Sequence, residues 1–234
     1  MKMEYFYFVF LAAAATCTGL YMYKFCSLKM KMITASTFLA AGLFLLLTGQ
    51  RYESPYCCLL FAGLLSSFIG DYTLKFNAFG MKGLPGIVSF AVAHMLYISA
   101  FAVRVPPTKS TAWLLLPWAV IVAFFAWLGT KKLKIDFQGT GPAVLMYAMI
   151  ITVMVLLGLR TGITVAAQGG LQTVKGIVLC IAVLSFMASD CGVCIQMFNP
   201  TPMFRISKTE INTDRFSSVT YFGAQILLAA SMLL

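Results

Sequence analysis

The sequence predicts an all-α, polytopic membrane protein built as a single bundle of eight transmembrane helices. Of its 234 residues, 61% are hydrophobic and only 10% are charged, whereas a soluble domain carries about a quarter charged residues. The mean hydropathy is +0.90. Apolar runs long enough to cross a bilayer recur along the whole chain between short polar segments. We therefore predict one transmembrane domain over residues 1–234.

Short polar breaks divide the chain into eight apolar segments. Glycine, proline and charged residues interrupt the runs, for example at 50–55, at Pro106-Pro107 and over the long stretch 199–215, and such residues end helices. The first run continues to Tyr23, too far for the apolar part of a signal peptide, so it is interpreted as a spanning helix. The predicted helices cover residues 4–24, 32–49, 56–75, 86–104, 112–129, 142–160, 174–197 and 217–234.

The basic residues predict the orientation of the bundle. The net charge is +10, but no basic run with interleaved aromatic residues exists, so we expect no nucleic-acid partner. More of the 17 Lys and Arg residues lie in the odd-numbered loops than in the even-numbered ones. Because cytoplasmic loops are enriched in Lys and Arg, we expect the odd loops in the cytoplasm and both termini outside. In a bacterium the host membrane would be the inner membrane.

Two aspartates interrupt apolar helices near the same side of the membrane. Asp71 ends the stretch 67–71 (SFIGD) in the third predicted helix, and Asp190 ends 185–190 (SFMASD) in the seventh. An ionised carboxylate in hydrocarbon is costly, so intramembrane acids are usually functional. A duplication of four helices would place the two aspartates opposite each other across a pseudo-two-fold axis.

Other polar side chains reach the same depth, at about 1.5 Å per helical residue. Each has a structural alternative: Lys31 or Lys75 could simply form a salt bridge with Asp71, and the single histidine, His94, could be a packed helix residue. The tyrosines and Gln225 could hydrogen-bond neighbouring helices. The predicted site has Asp71 and Asp190 as catalytic residues, with Lys31, His94, Tyr97, Tyr147, Ser189, Tyr221 and Gln225 in supporting roles.

The seven cysteines do not predict a metal site. Most lie within apolar runs, where cysteine behaves as a small hydrophobic residue. The pair Cys191 and Cys194 has the spacing of a metal ligand pair, but it lies within a predicted helix without a second pair or a histidine nearby. We predict no metal and no cofactor.

Two carboxylates in a low-dielectric site favour one protonated and one ionised form, which suits hydrolysis of an acid-labile bond.

Five stretches of the chain form a specific combination: 31–34 (KMIT), 64–71 (LLSSFIGD), 90–97 (FAVAHMLY), 189–190 (SD) and 221–225 (YFGAQ). Their order and spacing cover nearly the whole chain. In these stretches the chain resembles the YhhN-like family of integral-membrane lysoplasmalogenases, which are eight-helix proteins.

The resemblance implies hydrolysis of the vinyl-ether bond of a lysoplasmalogen, giving a fatty aldehyde and a glycerophospho-base. The expected partners are a lysophospholipid substrate and membrane lipid, and the oligomeric state is left open. One aspartate would deliver a proton and the other would direct water, with Asp71 favoured as the acid and Asp190 as the base. The active site would face the cytoplasmic half of the membrane. Lys31 could attract the phosphodiester.

Two alternative functions use the same aspartates. An intramembrane aspartyl protease is disfavoured, because Phe68 stands where the first glycine of a GxGD motif would be. A proton-coupled small-molecule transporter would use the pair as a proton relay. Transporters usually have helices broken by Gly or Pro near the midplane, and the third and seventh predicted helices contain Gly70 and Gly192 but no proline beside the aspartates.

Overall fold

Seven long helices make up most of the described chain. The computed structural model describes residues 13, 15–19, 28–76, 84–132, 137, 139–198, 203–206 and 209–233. Each of the seven helices, counted with its flanking turns, is long and apolar enough to cross a membrane. They are α1 (Leu28–Leu47), α2 (Pro55–Phe76), α3 (Leu84–Arg104), α4 (Leu115–Trp127), α5 (Gly141–Ala166), α6 (Leu171–Phe198) and α7 (Thr213–Ala230).

The predicted fold class, an all-α polytopic membrane protein, is confirmed. The helices α1 to α7 correspond in order to the second to eighth predicted helices. Of the first predicted helix, 4–24, only residues 13 and 15–19 are described, and these are helical. The rest of that prediction lies outside the described residues.

Several predicted helix boundaries differ from the structure. The helix predicted over 142–160 continues to Ala166. The prediction placed its end at Arg160, but the charged guanidinium of this residue is accommodated within the helix. That group donates to the carbonyl oxygens of Val105 (2.7 Å) and Pro106 (2.9 Å) just beyond α3. The helix predicted over 112–129 is α-helical only in α4, with a 3₁₀ turn at Lys109–Leu114 before it and a π turn at Leu128–Lys132 after it.

The stretch 199–215, predicted as a long break, contains a β-hairpin. Strands β1 (Met203–Ile206) and β2 (Thr209–Asn212) pair antiparallel, with Met203 opposite Asn212. The helix α7 begins at Thr213, earlier than the predicted residue 217, because Asn212 caps it. The Asn212 side chain accepts hydrogen bonds from the backbone N–H groups of Asp214 (2.9 Å) and Arg215 (3.2 Å), which satisfies two of the free donors of the first turn.

Six of the described helices pack as a closed ring. The order of neighbours is α1, α2, α3, α5, α6 and α7, and α7 closes against α1. In this ring α2 and α6 stand opposite each other. Helix α4 packs against the outer side of α5, and none of its residues, all of which are described, is buried. The interior contains large fully buried side chains from α1, α2, α3, α6 and α7: Phe38, Leu64, Tyr97, Phe186 and Phe222.

Glycines beside the two aspartates allow neighbouring helices to approach closely. A Cβ on Gly70 would lie 2.9 Å from Cε2 of Phe90, so α2 and α3 touch next to Asp71. A Cβ on Gly192 would lie 2.9 Å from Cβ of Ser217, so α6 and α7 touch near Asp190. These contacts fix the helix pairs that carry the aspartates.

Replacing Gly70 by Ala should lower the thermal midpoint of unfolding relative to a matched variant, Gly223→Ala. Both variants gain the same helix propensity, about 1 kcal/mol, but a Cβ on Gly223 would have no atom of the described residues within 4 Å, apart from its own stretch of helix. The difference between them therefore measures the overpacking against Phe90, about 1–3 kcal/mol, or roughly 2–12 °C. Thermal unfolding in detergent checks this. Equal midpoints would show that the contact between α2 and α3 accommodates the added methyl group without loss of stability.

Candidate active site

The first carboxylate is held in a buried ion pair. Lys31 Nζ, in the first turn of α1, lies 2.7 Å from Asp71 Oδ1, and the Tyr221 hydroxyl of α7 donates to Asp71 Oδ2 at 2.6 Å. The Asp71 side chain is 1% exposed and that of Lys31 is 14% exposed. Lys31, Asp71 and Tyr221 are called the Asp71 cluster below. The side chain of Lys75, the other partner considered for Asp71, lies outside the described part of the chain.

The second carboxylate belongs to a network of three groups that can exchange protons. Tyr147 of α5 donates to Asp190 Oδ2 at 2.7 Å, and Nε2 of His94 on α3 lies 3.1 Å from the same oxygen. The Tyr147 hydroxyl and His94 Nε2 are 2.9 Å apart. The histidine is fully buried, whereas the Asp190 side chain is 15% exposed. His94, Tyr147 and Asp190 are called the Asp190 cluster.

A third set of hydrogen bonds joins α3 and α7 between the clusters. The Tyr97 hydroxyl donates to Oε1 of Gln225 at 3.1 Å and lies 3.3 Å from Oγ of Ser67. The backbone carbonyl of Ser67 also accepts a longer hydrogen bond, 3.4 Å, from the hydroxyl of Tyr221. Tyr97 and Gln225 are therefore coupled to the Asp71 cluster through Ser67.

Two polar atoms of these residues are buried without a hydrogen-bond partner among the described residues. They are Nδ1 of His94 and Nε2 of Gln225. Buried polar atoms are nearly always hydrogen-bonded, and an exception calls for a specific reason. Both atoms belong to the predicted site, and both can bond to a substrate or to a water molecule.

The ring of Phe186 lies between the two clusters. It is fully buried, and its centroid is 4.9 Å from that of His94 and 5.7 Å from that of Tyr221. Phe186 precedes Asp190 by one helical turn, so the two side chains share a face of α6. The Phe186 ring therefore separates His94 of one cluster from Tyr221 of the other.

The structure brings eight of the nine predicted site residues into this arrangement. The exception is Ser189, whose Oγ donates to the backbone carbonyl of Ser217 at 3.0 Å and so holds α6 against α7. The two aspartates do not share one pocket as a directly bonded pair. Among the described residues, each carboxylate bonds to partners of its own cluster.

Two residues of the arrangement were missed by the sequence prediction. Ser67 precedes Asp71 by four residues, and Phe186 precedes Asp190 by four. Residues at this spacing are neighbours on a helix surface. A search one turn before each intramembrane aspartate would therefore have found both.

The two clusters differ in what they can do chemically. The Asp71 carboxylate faces an ammonium group and a phenol, which hold it as half of an ion pair. The Asp190 carboxylate shares its oxygen with an imidazole and a phenol, so a proton can pass among three groups. His94 Nε2 can donate to Asp190 when it carries a proton and can accept from Tyr147 when it does not. Acid–base chemistry is therefore better supported at Asp190.

The fold and the site together define a polytopic membrane protein that encloses two carboxylate clusters within a ring of six helices. A family model described as the YhhN family matches residues 29–232, a range that contains every predicted site residue. The chain belongs to the YhhN family. No curated protein and no solved structure matches the chain.

Proposed function

We propose that this protein is a membrane-embedded hydrolase that cleaves the vinyl-ether bond of lysoplasmalogens. The products are a fatty aldehyde and a glycerophospho-base, either glycerophosphoethanolamine or glycerophosphocholine. One observation carries the proposal: the partly exposed carboxylate of Asp190 shares a proton network with His94 and Tyr147 inside a membrane-spanning ring. Membership of the YhhN family agrees with this activity.

The surroundings of His94 favour an acid-labile bond over an ester. An esterase that forms an acyl-enzyme needs a serine or cysteine hydrogen-bonded to its base. Among the described residues, the side chains bonded to His94 are those of Tyr147 and Asp190. A vinyl ether needs no protein nucleophile, because protonation of its outer carbon is enough to activate it.

In the first step, the Asp190 cluster gives a proton to the outer vinyl carbon of the substrate. A carbon–hydrogen bond forms, the carbon–carbon π bond breaks, and the positive charge is shared by the inner carbon and the ether oxygen as an oxocarbenium ion. The Asp190 carboxylate, now ionised, stabilises this cation. Burial in the helix ring strengthens the interaction, since low dielectric reduces screening.

In the second step, water attacks the inner carbon and gives a proton to the Asp190 cluster. This produces a hemiacetal and restores the cluster to its starting state. The hemiacetal hydroxyl then gives up its proton, the bond between the inner carbon and the glycerol oxygen breaks, and the glycerol oxygen takes up a proton as the aldehyde leaves. Gln225 Nε2 and His94 Nδ1, both buried and without partners among the described residues, are suited to hold the water or the glycerol hydroxyl.

Asp71 has a different part in this proposal. Its ion pair with Lys31 is not the environment of a proton donor, so proton delivery is moved from Asp71, the acid expected from the sequence, to Asp190. Asp71 and Tyr221 instead hold Lys31 at the opening of the site. We further propose that this opening faces the cytoplasm, at the membrane side where α2 and α6 end. The hydrocarbon chain would enter from the bilayer between helices.

A set of three lysolipids with the same headgroup and chain length tests the proposed reaction. The vinyl-ether form should release aldehyde with purified protein in detergent. The saturated ether and the acyl ester should not be cleaved, because protonation at carbon requires the double bond. Aldehyde is measured with a coupled dehydrogenase, and fatty acid release is measured in parallel.

Three outcomes would contradict the proposal. Fatty acid release from the acyl lysolipid would indicate an esterase, and cleavage of a membrane-spanning peptide would indicate a protease. An absence of aldehyde, together with proton-driven uptake of a solute into proteoliposomes, would favour the transporter.

A further inference from the structure

The ring of helices consists of two sets of three that pack in the same pattern. Helices α1, α2 and α3 are successive neighbours, and so are α5, α6 and α7. Helix α3 of the first set packs against α5 of the second, and helix α7 of the second set packs against α1 of the first. The packing order is therefore unchanged when α1, α2 and α3 are exchanged with α5, α6 and α7. This order of neighbours agrees with the pseudo-two-fold relation suggested by the aspartate stretches.

The same exchange relates the two carboxylate clusters. It takes Asp71 on α2 to Asp190 on α6, Lys31 on α1 to Tyr147 on α5, and Tyr221 on α7 to His94 on α3. Each aspartate bonds to one partner from its own set of helices and to one partner from the other set. The bond between Tyr97 of α3 and Gln225 of α7 joins equivalent helices.

The equivalent positions carry different chemistry. Where the Asp190 cluster has a phenol from α5 and an imidazole from α3, the Asp71 cluster has an ammonium group from α1 and a phenol from α7. An imidazole transfers protons near neutral pH, whereas a lysine ammonium is a compact, strongly hydrated positive charge. One half of the ring is therefore equipped to move a proton and the other half to hold a negative charge.

Each cluster has one accessible charged group. Lys31 is 14% exposed and Asp190 is 15% exposed, whereas Asp71 and His94 are almost completely buried. A chain of rings connects the two groups: Lys31 Nζ lies 5.9 Å from the centroid of Tyr221, which is next to Phe186, which is next to His94. A ligand with an anionic end and an acid-labile bond would have to extend along these rings to contact both groups.

We infer that Lys31 determines substrate specificity by binding an anionic phosphodiester, so that the substrate lies across the pseudo-two-fold axis with its vinyl ether at the Asp190 cluster. This inference rests on the proposed function and extends it to substrate recognition. Asp71 and Tyr221 orient the Lys31 ammonium group for this contact. Neutral alkenylglycerols lack the anionic end and are poor substrates.

The test is a ratio of specificity constants. It divides kcat/KM for an alkenyl lysophosphoethanolamine by kcat/KM for the alkenylglycerol with the same chain. Wild type should favour the phospholipid by about 10- to 100-fold, since a hydrogen bond to a charged group contributes this much. Lys31→Met should bring the ratio close to one, and Lys31→Arg should keep most of it.

Two further variants distinguish binding of the phosphodiester by Lys31 from loss of the ion pair and from general attraction by basic residues. Lys31→Met leaves the buried Asp71 carboxylate without its counter-ion. The variant Lys31→Met/Asp71→Asn removes both charges, and its ratio should also be close to one. Lys29 is an exposed lysine two residues earlier, and Lys29→Met should keep the wild-type ratio. An equal loss in Lys29→Met would indicate general attraction by a basic surface and would overturn the inference, as would an unchanged ratio in both Lys31→Met variants.

Binding of saturated-ether analogues gives an independent readout. The O-alkyl lysophosphoethanolamine and the O-alkylglycerol lack the vinyl group, so they report recognition without cleavage. Wild type should bind the phosphorylated analogue about 10- to 100-fold more tightly, and the double variant should bind both equally. This measurement decides the role of Lys31 even if no aldehyde is released from any substrate, which would contradict the proposed function alone.

Discussion

Replacing Asp190 by Asn should lower the turnover number for aldehyde release by about 10²- to 10⁴-fold, the usual contribution of a positioned acid or base. An asparagine has the same shape and can still hydrogen-bond to Tyr147 and His94, so the cluster keeps its geometry. It cannot give a proton to the vinyl carbon or take one from water. The measurement is the steady-state rate at saturating lysoplasmalogen, with the thermal midpoint as a check on folding.

Two other variants calibrate this result. Asp214→Asn removes an exposed carboxylate in the first turn of α7 and should leave turnover unchanged. Tyr147→Phe keeps the ring but removes the donor to Asp190, and its effect should be smaller than that of Asp190→Asn, because His94 still bonds to the carboxylate. A folded Asp190→Asn variant with wild-type turnover would exclude Asp190 as the proton donor.

The helices could be predicted because hydrophobic length and helix breaks are local properties. Each of the seven described helices overlaps its predicted range, and the largest error at a helix end arose where a side chain found a distant partner. Arg160 looked like a helix end but bonds to carbonyls beyond α3. The hairpin in 199–215 was missed because its strands are short and lack a clear apolar alternation.

Depth in the membrane was enough to select the six residues that form the two clusters. A fixed rise per residue places side chains of antiparallel helices at comparable levels, and this selected His94, Tyr147 and Tyr221 together with the aspartates. Depth carries no information on direction around the helix axis. The sequence therefore could not show that the aspartates form separate clusters, or that Ser189 turns toward the backbone of α7.

For a related reason, the sequence could not show which helices supply the partners of each aspartate. Asp71 takes a partner from α7, and Asp190 takes a partner from α3. These bonds connect helices that are far apart in the chain, and only the closed ring brings them together. The salt bridge between Lys31 and Asp71 was foreseen as an alternative to catalysis, and its presence moves proton delivery to Asp190 in our proposal.

Replacing only Lys31 of the Lys31–Asp71 ion pair should produce the largest loss of stability at the site. Lys31→Met leaves a carboxylate that is 1% exposed without its counter-ion. Removing one partner of a buried pair costs about 3–5 kcal/mol, which corresponds to roughly 6–20 °C in the thermal midpoint. Asp71→Asn should cost less, because Lys31 lies in the first turn of α1 and its flexible stem can carry the ammonium group to the membrane surface.

The variant Lys31→Met/Asp71→Asn distinguishes an uncompensated charge from a loss of packing. Replacing both charges by neutral groups of similar volume is often neutral for stability, so the double variant should unfold at a higher temperature than Lys31→Met. Additive losses would mean that the two side chains contribute through their separate contacts. Recovery of stability without recovery of the preference for a phosphorylated substrate would show that the ion pair is retained for recognition, since a stable bundle forms without it.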